Sequence, residues 1–332
     1  MTPADESFLR RTLEVAERGR RTAAPNPVVG CLLVRDGEVL AEGWHERAGA
    51  EHAEAMALRL AGDARGATAY VSLEPCSHHG RTPPCADALI AAGVARVVIA
   101  ALDPSPKVNG KGLEWLRAAG IEVEVAAGDL EAAARRQNAE FRTFQLLGRP
   151  HVTYKVAASL DGRTATAAGE SQWISSPESR RLVHEWRACA GAVAVGSGTA
   201  LHDRPQLTAR DVDPPTERQP LRVVFDRCGR VDPASWDGVV ARGEAGEELA
   251  ALAAQGVTSV LVEGGATLAA GLLAAGLIDR VALFVAPLVL GDGPGVFAGW
   301  AAASLAAAPA AVHLEARRVG PDILLVAELR EV

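Results

Sequence analysis

Residues 69–92 read AYVSLEPCSHHGRTPPCADALIAA. The stretch 69–73 is a short apolar run of the kind a buried strand uses, and 85–92 is an alanine-rich helical stretch with Gly93 placed as its C-cap. The same alternation continues in both directions. Upstream, Thr2-Pro3-Ala4-Asp5 combines an N-cap, a first-turn proline and an acid three residues after the cap, so a helix with Leu9, Leu13 and Ala16 on one face is predicted. A strand at 28–34, a hairpin turn at Asp36-Gly37, a partner strand at 39–42 and a helix at 51–60 follow. Downstream the pattern predicts a strand at 94–102, a helix at 113–119, a strand at 121–125 and one long helix at 129–146. Alternation of this kind argues for an α/β fold with a largely parallel sheet.

Leu147-Gly148-Arg149-Pro150 stops the long helix, and the alternation then starts afresh. Strands are predicted at 151–158, 192–195, 221–226, 259–262 and 281–285, helices at 178–190 and 266–275, and a closing hairpin from 313–319 and 323–329 around Gly320-Pro321-Asp322. At 332 residues the chain exceeds the roughly 100–200 of one domain. The expected organisation is therefore a domain at 1–146, a linker at 147–150 and a domain at 151–332.

Composition narrows the function classes. Hydrophobic residues make up 48% and charged residues 23%, which excludes a disordered or fibrous chain. With 6 Trp, 2 Tyr and 6 Phe, the cores must rest on Ala, Val, Leu and Ile. The net charge of −7 is spread over both halves, so neither carries the basic excess that a phosphate backbone attracts, and nucleic acid is not an expected partner. No segment approaches the roughly 18 apolar residues of a membrane helix, and the opening MTPADESFLRRTLEVAERGRR lacks the apolar run of a signal peptide. Five scattered cysteines do not form a disulfide framework, so a reducing cytoplasm is expected.

His52-Ala53-Glu54, Pro75-Cys76 and Cys85 carry the strongest chemical signal. One imidazole and two thiolates suit Zn2+, which in catalytic sites leaves its fourth position to water. His52 starts one predicted helix and Cys85 opens another, where helix N-termini favour the thiolate. Glu54 is poorly placed to be a fourth ligand beside His52 on an ideal helix, but from the first turn it can serve the water as proton carrier. The pattern H-x-E with P-C-x-x-C marks zinc deaminases of aminopyrimidine and purine rings. Here eight residues separate the cysteines instead of two. His78 and His79 compete as ligands by residue type, yet their place inside that loop fits loop structure or substrate contact.

The run Leu73-Glu74-Pro75-Cys76-Ser77-His78-His79-Gly80-Arg81-Thr82-Pro83-Pro84-Cys85 resembles the signature of the bifunctional riboflavin-biosynthesis deaminase/reductase family, which has the long loop. Pro25-Asn26-Pro27-Val28-Val29-Gly30 and Gly43-Trp44-His45 resemble that family's substrate-facing segments, which implies that Asn26 contacts the ribose or the pyrimidine. By itself the second half shows only α/β patterning with glycine turns at 196–198 and 264–265, each a weak phosphate-binding signal without the full dinucleotide fingerprint. The resemblance continues through it, from Lys155-Val156-Ala157-Ala158-Ser159-Leu160-Asp161-Gly162-Arg163 to the run 263–271.

The resemblance implies a cytidine deaminase-like α/β/α sandwich followed by a dihydrofolate reductase-like α/β domain. It further implies zinc in the first and NADPH in the second. Carried over by position, Ala157, Trp173, Thr199, Asp203 and a turn of Gly265, Ala266, Thr267, Leu268, Ala269, Ala270 and Gly271 would hold the cofactor. Ser171, Arg187, Leu207, Arg210 and Glu263 would hold the substrate, arginine suiting a sugar phosphate through its planar fork. The implied reactions are hydrolysis of the 2-amino group of a diaminopyrimidinone ribosyl phosphate, then hydride delivery to C1′ of the ribose to give a ribityl chain. Asp203, Glu263 and Lys155 all stand as candidate acids for that second step. At Phe225-Asp226-Arg227 the chain departs from the family's small hydroxyl residue, and Arg227 either approaches the 2′-phosphate of NADPH or points into solvent. A homo-oligomer joined through the reductase domains is also implied.

Two rival readings make different demands. A zinc deaminase of RNA bases requires a basic groove, which the charge count opposes. A structural zinc domain on an inactive scaffold requires a fourth protein ligand.

Overall fold

The structure, a computed structural model, describes residues 1–77, 83–105, 108–216 and 218–332. The chain divides into two compact units, Met1–Leu147 with Val332, and Gly148–Glu331. No helix among the described residues is long and apolar enough to cross a membrane.

The first unit runs α1 (Pro3–Ala16), β1 (Gly30–Arg35), β2 (Glu38–Trp44), α2 (Ala53–Ala61), β3 (Thr68–Val71), α3 (Cys85–Ala91), β4 (Arg96–Ile99), α4 (Lys111–Ala118), β5 (Glu122–Val125), α5 (Asp129–Gln137) and α6 (Ala139–Leu147). Its sheet has the order β2-β1-β3-β4-β5. The central strands β1, β3 and β4 are apolar on both faces, and alternation sorts their side chains between two cores. Cys31, Leu33, Ala69, Val71, Val97 and Ile99 meet Ala57 of α2, Leu89 of α3 and Leu116 of α4. Leu32, Val34, Tyr70 and Val98 meet Leu9 and Val15 of α1 and Leu130 and Ala134 of α5. The result is a three-layer α/β/α sandwich.

Two expectations change here. The sheet is mixed, because β1 pairs antiparallel with both β2 and β3 while β3, β4 and β5 run parallel. The single helix expected at 129–146 is broken at Asn138 (φ −108°, ψ 26°), whose side-chain amide bonds both the N–H and the C=O of Val28 at 2.9 Å. A side chain that satisfies a distant backbone in both directions stabilises the break.

The second unit runs β6 (His151–Ala158), α7 (Pro177–Cys189), β7 (Ala192–Gly196), α8 (Ser197–Asp203), β8 (Leu221–Phe225), β9 (Val239–Ala241), α9 (Ala245–Ala254), β10 (Ser259–Glu263), α10 (Ala266–Ala274), β11 (Arg280–Val285), β12 (His313–Val319) and β13 (Asp322–Glu328). The sheet order is β12-β13-β11-β6-β10-β7-β8-β9. From β11 to β9 the pairing is parallel, and the closing hairpin adds two antiparallel strands as the sequence predicts. Leu249 and Leu252 of α9 and Ala269 and Leu272 of α10 cover one face, while Val183 of α7 packs with Ala282, Phe284 and Leu324 on the other. Arg149, at the end of the expected linker, forms a buried two-pronged pair with Asp279 at 2.6 and 2.7 Å.

The glycine turns also differ from expectation. Gly196 is an extended N-cap (φ −79°, ψ 159°) and Gly198 lies inside α8, so no Gly-x-Gly turn forms there. Gly264 and Gly265 (φ 76° and 80°) do make a left-handed turn, but residues 266–271 belong to α10.

Candidate functional sites

The first site grows from the start of α2. Gly43 of β2 lies so close to α2 that a Cβ there would stand 2.1 Å from the carbonyl oxygen of Ala53, so only glycine lets the helix approach. His52 is the extended N-cap of that helix (φ −77°, ψ 163°), which frees it from helical spacing and lets it share a cavity with Glu54 in the first turn. Cys76 follows the end of β3, and Cys85 is the first residue of α3.

His52 Nδ1 lies 3.2 Å from Cys85 Sγ and 3.5 Å from Cys76 Sγ, and the Cys85 N–H donates to Cys76 Sγ at 3.3 Å. The three ligand atoms lie within 4.8 Å of one another, a spacing and donor set that fit a zinc ion. Hydrogen bonds from Cys85 and His52 lower the Cys76 thiol below its ordinary range, toward the thiolate that a metal ligand must be. Burial pushes the Glu54 carboxyl up to about 7, with the charge of Cys76 adding to the rise.

A cavity of about 320 Å³ is lined by His52, Glu54 and Cys76, with buried Cys85 outside its lining, and also by Asn26, His45, Glu74, Asp103, Ser105, Val108, Phe141 and Gln145. His45 Nδ1 lies 3.0 Å from the Glu51 carbonyl oxygen, which can only accept, so Nδ1 carries the hydrogen. His45 Nε2 is then an acceptor for the Asn26 side-chain amide, 3.0 Å away. Burial lowers the His45 pKa, which keeps this arrangement neutral. His78 and His79 lie outside the described residues.

The second cavity, about 740 Å³, brings together Ala157, Ser171, Trp173, Arg187, Asp203, Arg210 and Glu263 with the candidate acid Lys155, all expected from the sequence, and adds Arg180, Arg181 and His184. Arg180, His184 and Arg187 are spaced four and three apart on α7, so one helix face turns them into the cavity. That spacing is visible in the sequence. Arg187 and Glu263, both expected to hold substrate, hold each other in a two-pronged ion pair at 2.5 and 2.8 Å. Arg187 also donates to the Thr208 carbonyl at 3.1 Å. Burial lowers the pKa of Lys155 beside them. Trp173 is exposed, with the Arg180 guanidinium 4.7 Å above its ring.

Gly264 lines that cavity as well, whereas Thr199, Leu207 and residues 265–271 are not in its lining. A Cβ on Gly264 would be 3.5 Å from Thr199 Oγ1, and one on Gly265 would be 3.6 Å from the Gly196 nitrogen, so Gly196, Thr199 and the 264–265 turn meet where parallel β7 and β10 end. This is where ligands bind parallel sheets. The amides of Ala266, Thr267 and Leu268 precede the first hydrogen bond of α10, made by Ala269 to Gly265. Ala269 and Ala270 are buried in the core, Gly271 is helical, and the Leu207 side chain is also buried. Arg227 pairs with Glu244 at 3.0 Å, both side chains exposed.

Comparison with known proteins gives the same two-part division. The family model described as the RibD C-terminal domain matches residues 150–325, and that of the cytidine and deoxycytidylate deaminase zinc-binding region matches residues 2–101. The riboflavin biosynthesis protein RibD of Escherichia coli is 44% identical, covering 97% of this chain and 98% of that one. The solved structure of Acinetobacter baumannii RibD is 39% identical with a TM-score of 0.86, covering 98% of each chain. A Thermotoga maritima structure described as a diaminohydroxyphosphoribosylaminopyrimidine deaminase/5-amino-6-(5-phosphoribosylamino)uracil reductase is 35% identical with a TM-score of 0.86, again covering 98% of each chain.

Proposed function

The chain belongs to the RibD family of bifunctional riboflavin biosynthesis proteins, and on that premise we propose which residues carry each of its two reactions. The enzyme is a deaminase and a reductase on one polypeptide, the first activity using zinc and the second a nicotinamide cofactor.

In the deaminase unit His52, Cys76 and Cys85 would hold the metal, and zinc bound there would supply the Lewis acidity that activates a water near pH 7. Glu54 takes the proton of the attacking water and returns it to the departing amine, so that ring C–NH2 and water become C=O and ammonia. Its buried carboxyl, poised near neutrality, suits both acceptance and return. Asn26, held by neutral His45, faces the same cavity and meets the pyrimidine or its ribose. The substrate is a diaminopyrimidinone ribosyl phosphate, as the description of the Thermotoga maritima relative supports.

In the reductase unit bound NADPH would supply the hydride that reduces C1′ of the ribosyl group. The 264–265 turn, the first amides of α10, Thr199, Ala157, Trp173 and Asp203 serve the cofactor, with Ser171, Arg210 and the amphipathic cationic face of α7 serving the sugar phosphate. Of the three candidate acids, Glu263 is taken up by Arg187 and Asp203 by His202, whereas burial weakens the hold of Lys155 on its proton. Lys155 is therefore assigned as the donor to the ring oxygen as the sugar opens.

The convergence of an imidazole and two sulfurs, with a buried carboxylate lining the same cavity as His52 and Cys76, carries this reading. A staged assay tests it. Purified protein given the diaminopyrimidinone substrate releases ammonia without cofactor, and nicotinamide absorbance falls only when NADPH is added second. NADPH consumption without ammonia release in the first stage would overturn the order.

A further inference from the structure

Glu74 is buried, 4% exposed, two residues before a proposed zinc ligand, and the chemistry above makes no use of it. Its partners are backbone amides. Oε2 accepts from the N–H groups of Asp103 at 3.3 Å and Gly110 at 3.0 Å, and Oε1 accepts from Gly112 at 3.2 Å. Gly110 is the N-cap of α4 and has no capping side chain of its own. The carboxylate of a separate strand end therefore does the work of a cap, with the favourable end of the helix dipole facing it.

The contact is close as well as polar. A Cβ on Gly112 would stand 2.2 Å from the Pro75 carbonyl oxygen and 3.3 Å from Glu74 Oε1, so the start of α4 rests directly on the residue before Cys76. Asp103, Ser105 and Val108, which approach α4 along the chain, line the same cavity as His52 and Glu54. Ser105 donates its N–H to Asp103 Oδ1 at 2.7 Å, which ties that wall together.

We propose that Glu74 is a positioning residue for the deamination substrate: its carboxylate fixes the wall of Asp103, Ser105 and Val108 at a set distance from Cys76. The inference rests on the deaminase reading of this cavity. The wall faces the part of the substrate beyond the reacting carbon, while α2, Cys76 and Cys85 hold the reacting end. A displaced wall therefore weakens binding of ground state and transition state alike, which raises KM and spares kcat.

Glu74→Gln keeps the size of the side chain but points an amide NH2 at one of the backbone donors, so at least one of the three bonds is lost. Ammonia release is measured over a range of substrate concentrations, alongside zinc content and NADPH oxidation by the same preparation. The expected result is a KM raised by about tenfold or more with kcat within about threefold, full zinc and unchanged reduction. Amide hydrogen exchange at Asp103, Gly110 and Gly112 is faster than in the parent. Gly112→Ala, which keeps the carboxylate but drives the helix start off Pro75, gives the same split and carries the test if Glu74→Gln folds poorly. An unchanged KM, a fall in kcat at constant KM, or loss of zinc would each overturn the assignment. Failure of the unaltered protein to release ammonia would instead remove the deaminase reading and the inference with it.

Discussion

In the deaminase unit the proposed reacting end is made of side chains: His52 and Glu54 from the start of one helix, Cys85 from the start of another, and Cys76 from the loop that follows a strand. In the reductase unit much of the proposed cofactor frame is backbone, the left-handed turn at Gly264-Gly265 and the first amides of α10, with Arg187 and Glu263 forming an ion pair in the same unit. Metal chemistry demands particular donor atoms and so writes itself into residue types. Cofactor binding by amides demands only a backbone path, which many sequences supply. The two units should accordingly fail in different ways when altered.

The largest effect is expected from Cys85→Ala. With one of three ligands gone, zinc content and ammonia release both fall to background in metal analysis and an ammonia assay, while the variant still oxidises NADPH on deaminated substrate. Loss of both activities together would deny that the units work separately.

Next comes Glu263→Ala, which leaves the Arg187 guanidinium buried without its carboxylate. The unfolding transition of the reductase unit should lose about 3–5 kcal/mol in a denaturant titration, and NADPH oxidation should fall. The double change Arg187→Met with Glu263→Leu should recover most of the stability and none of the activity. Recovery of activity would make the pair structural only.

The smallest effect belongs to Asn138→Ala. Two backbone groups of Val28 lose their partner, at a cost of about 1–3 kcal/mol to the deaminase unit by the same titration. An unchanged transition would mean that the break between α5 and α6 does not depend on this amide.

Sequence reading recovers what is local or atom-specific. The hairpin at Asp36-Gly37 follows from the turn chemistry, with both residues at positive φ (52° and 81°), and the zinc trio follows from donor type. What escaped it depends on distant partners. Nothing near Asn138 announces that its amide bonds a backbone 110 residues away. Gly196 and Gly198 read as a turn because glycine permits one, yet packing carries the chain straight into α8. Arg187 reads as a phosphate ligand by residue type, and nothing near it announces the ion pair it makes with Glu263, 76 residues on. The helix α9 went unmarked because its apolar face differs little from the alanine-rich sequence around it.

The account turns on Glu54 as carrier of the water proton, and Glu54→Gln tests this with metal analysis and ammonia release on one preparation. The variant should keep one zinc per chain and lose ammonia release by about 10²–10⁴-fold. Undiminished release from a zinc-loaded Glu54→Gln protein would contradict it.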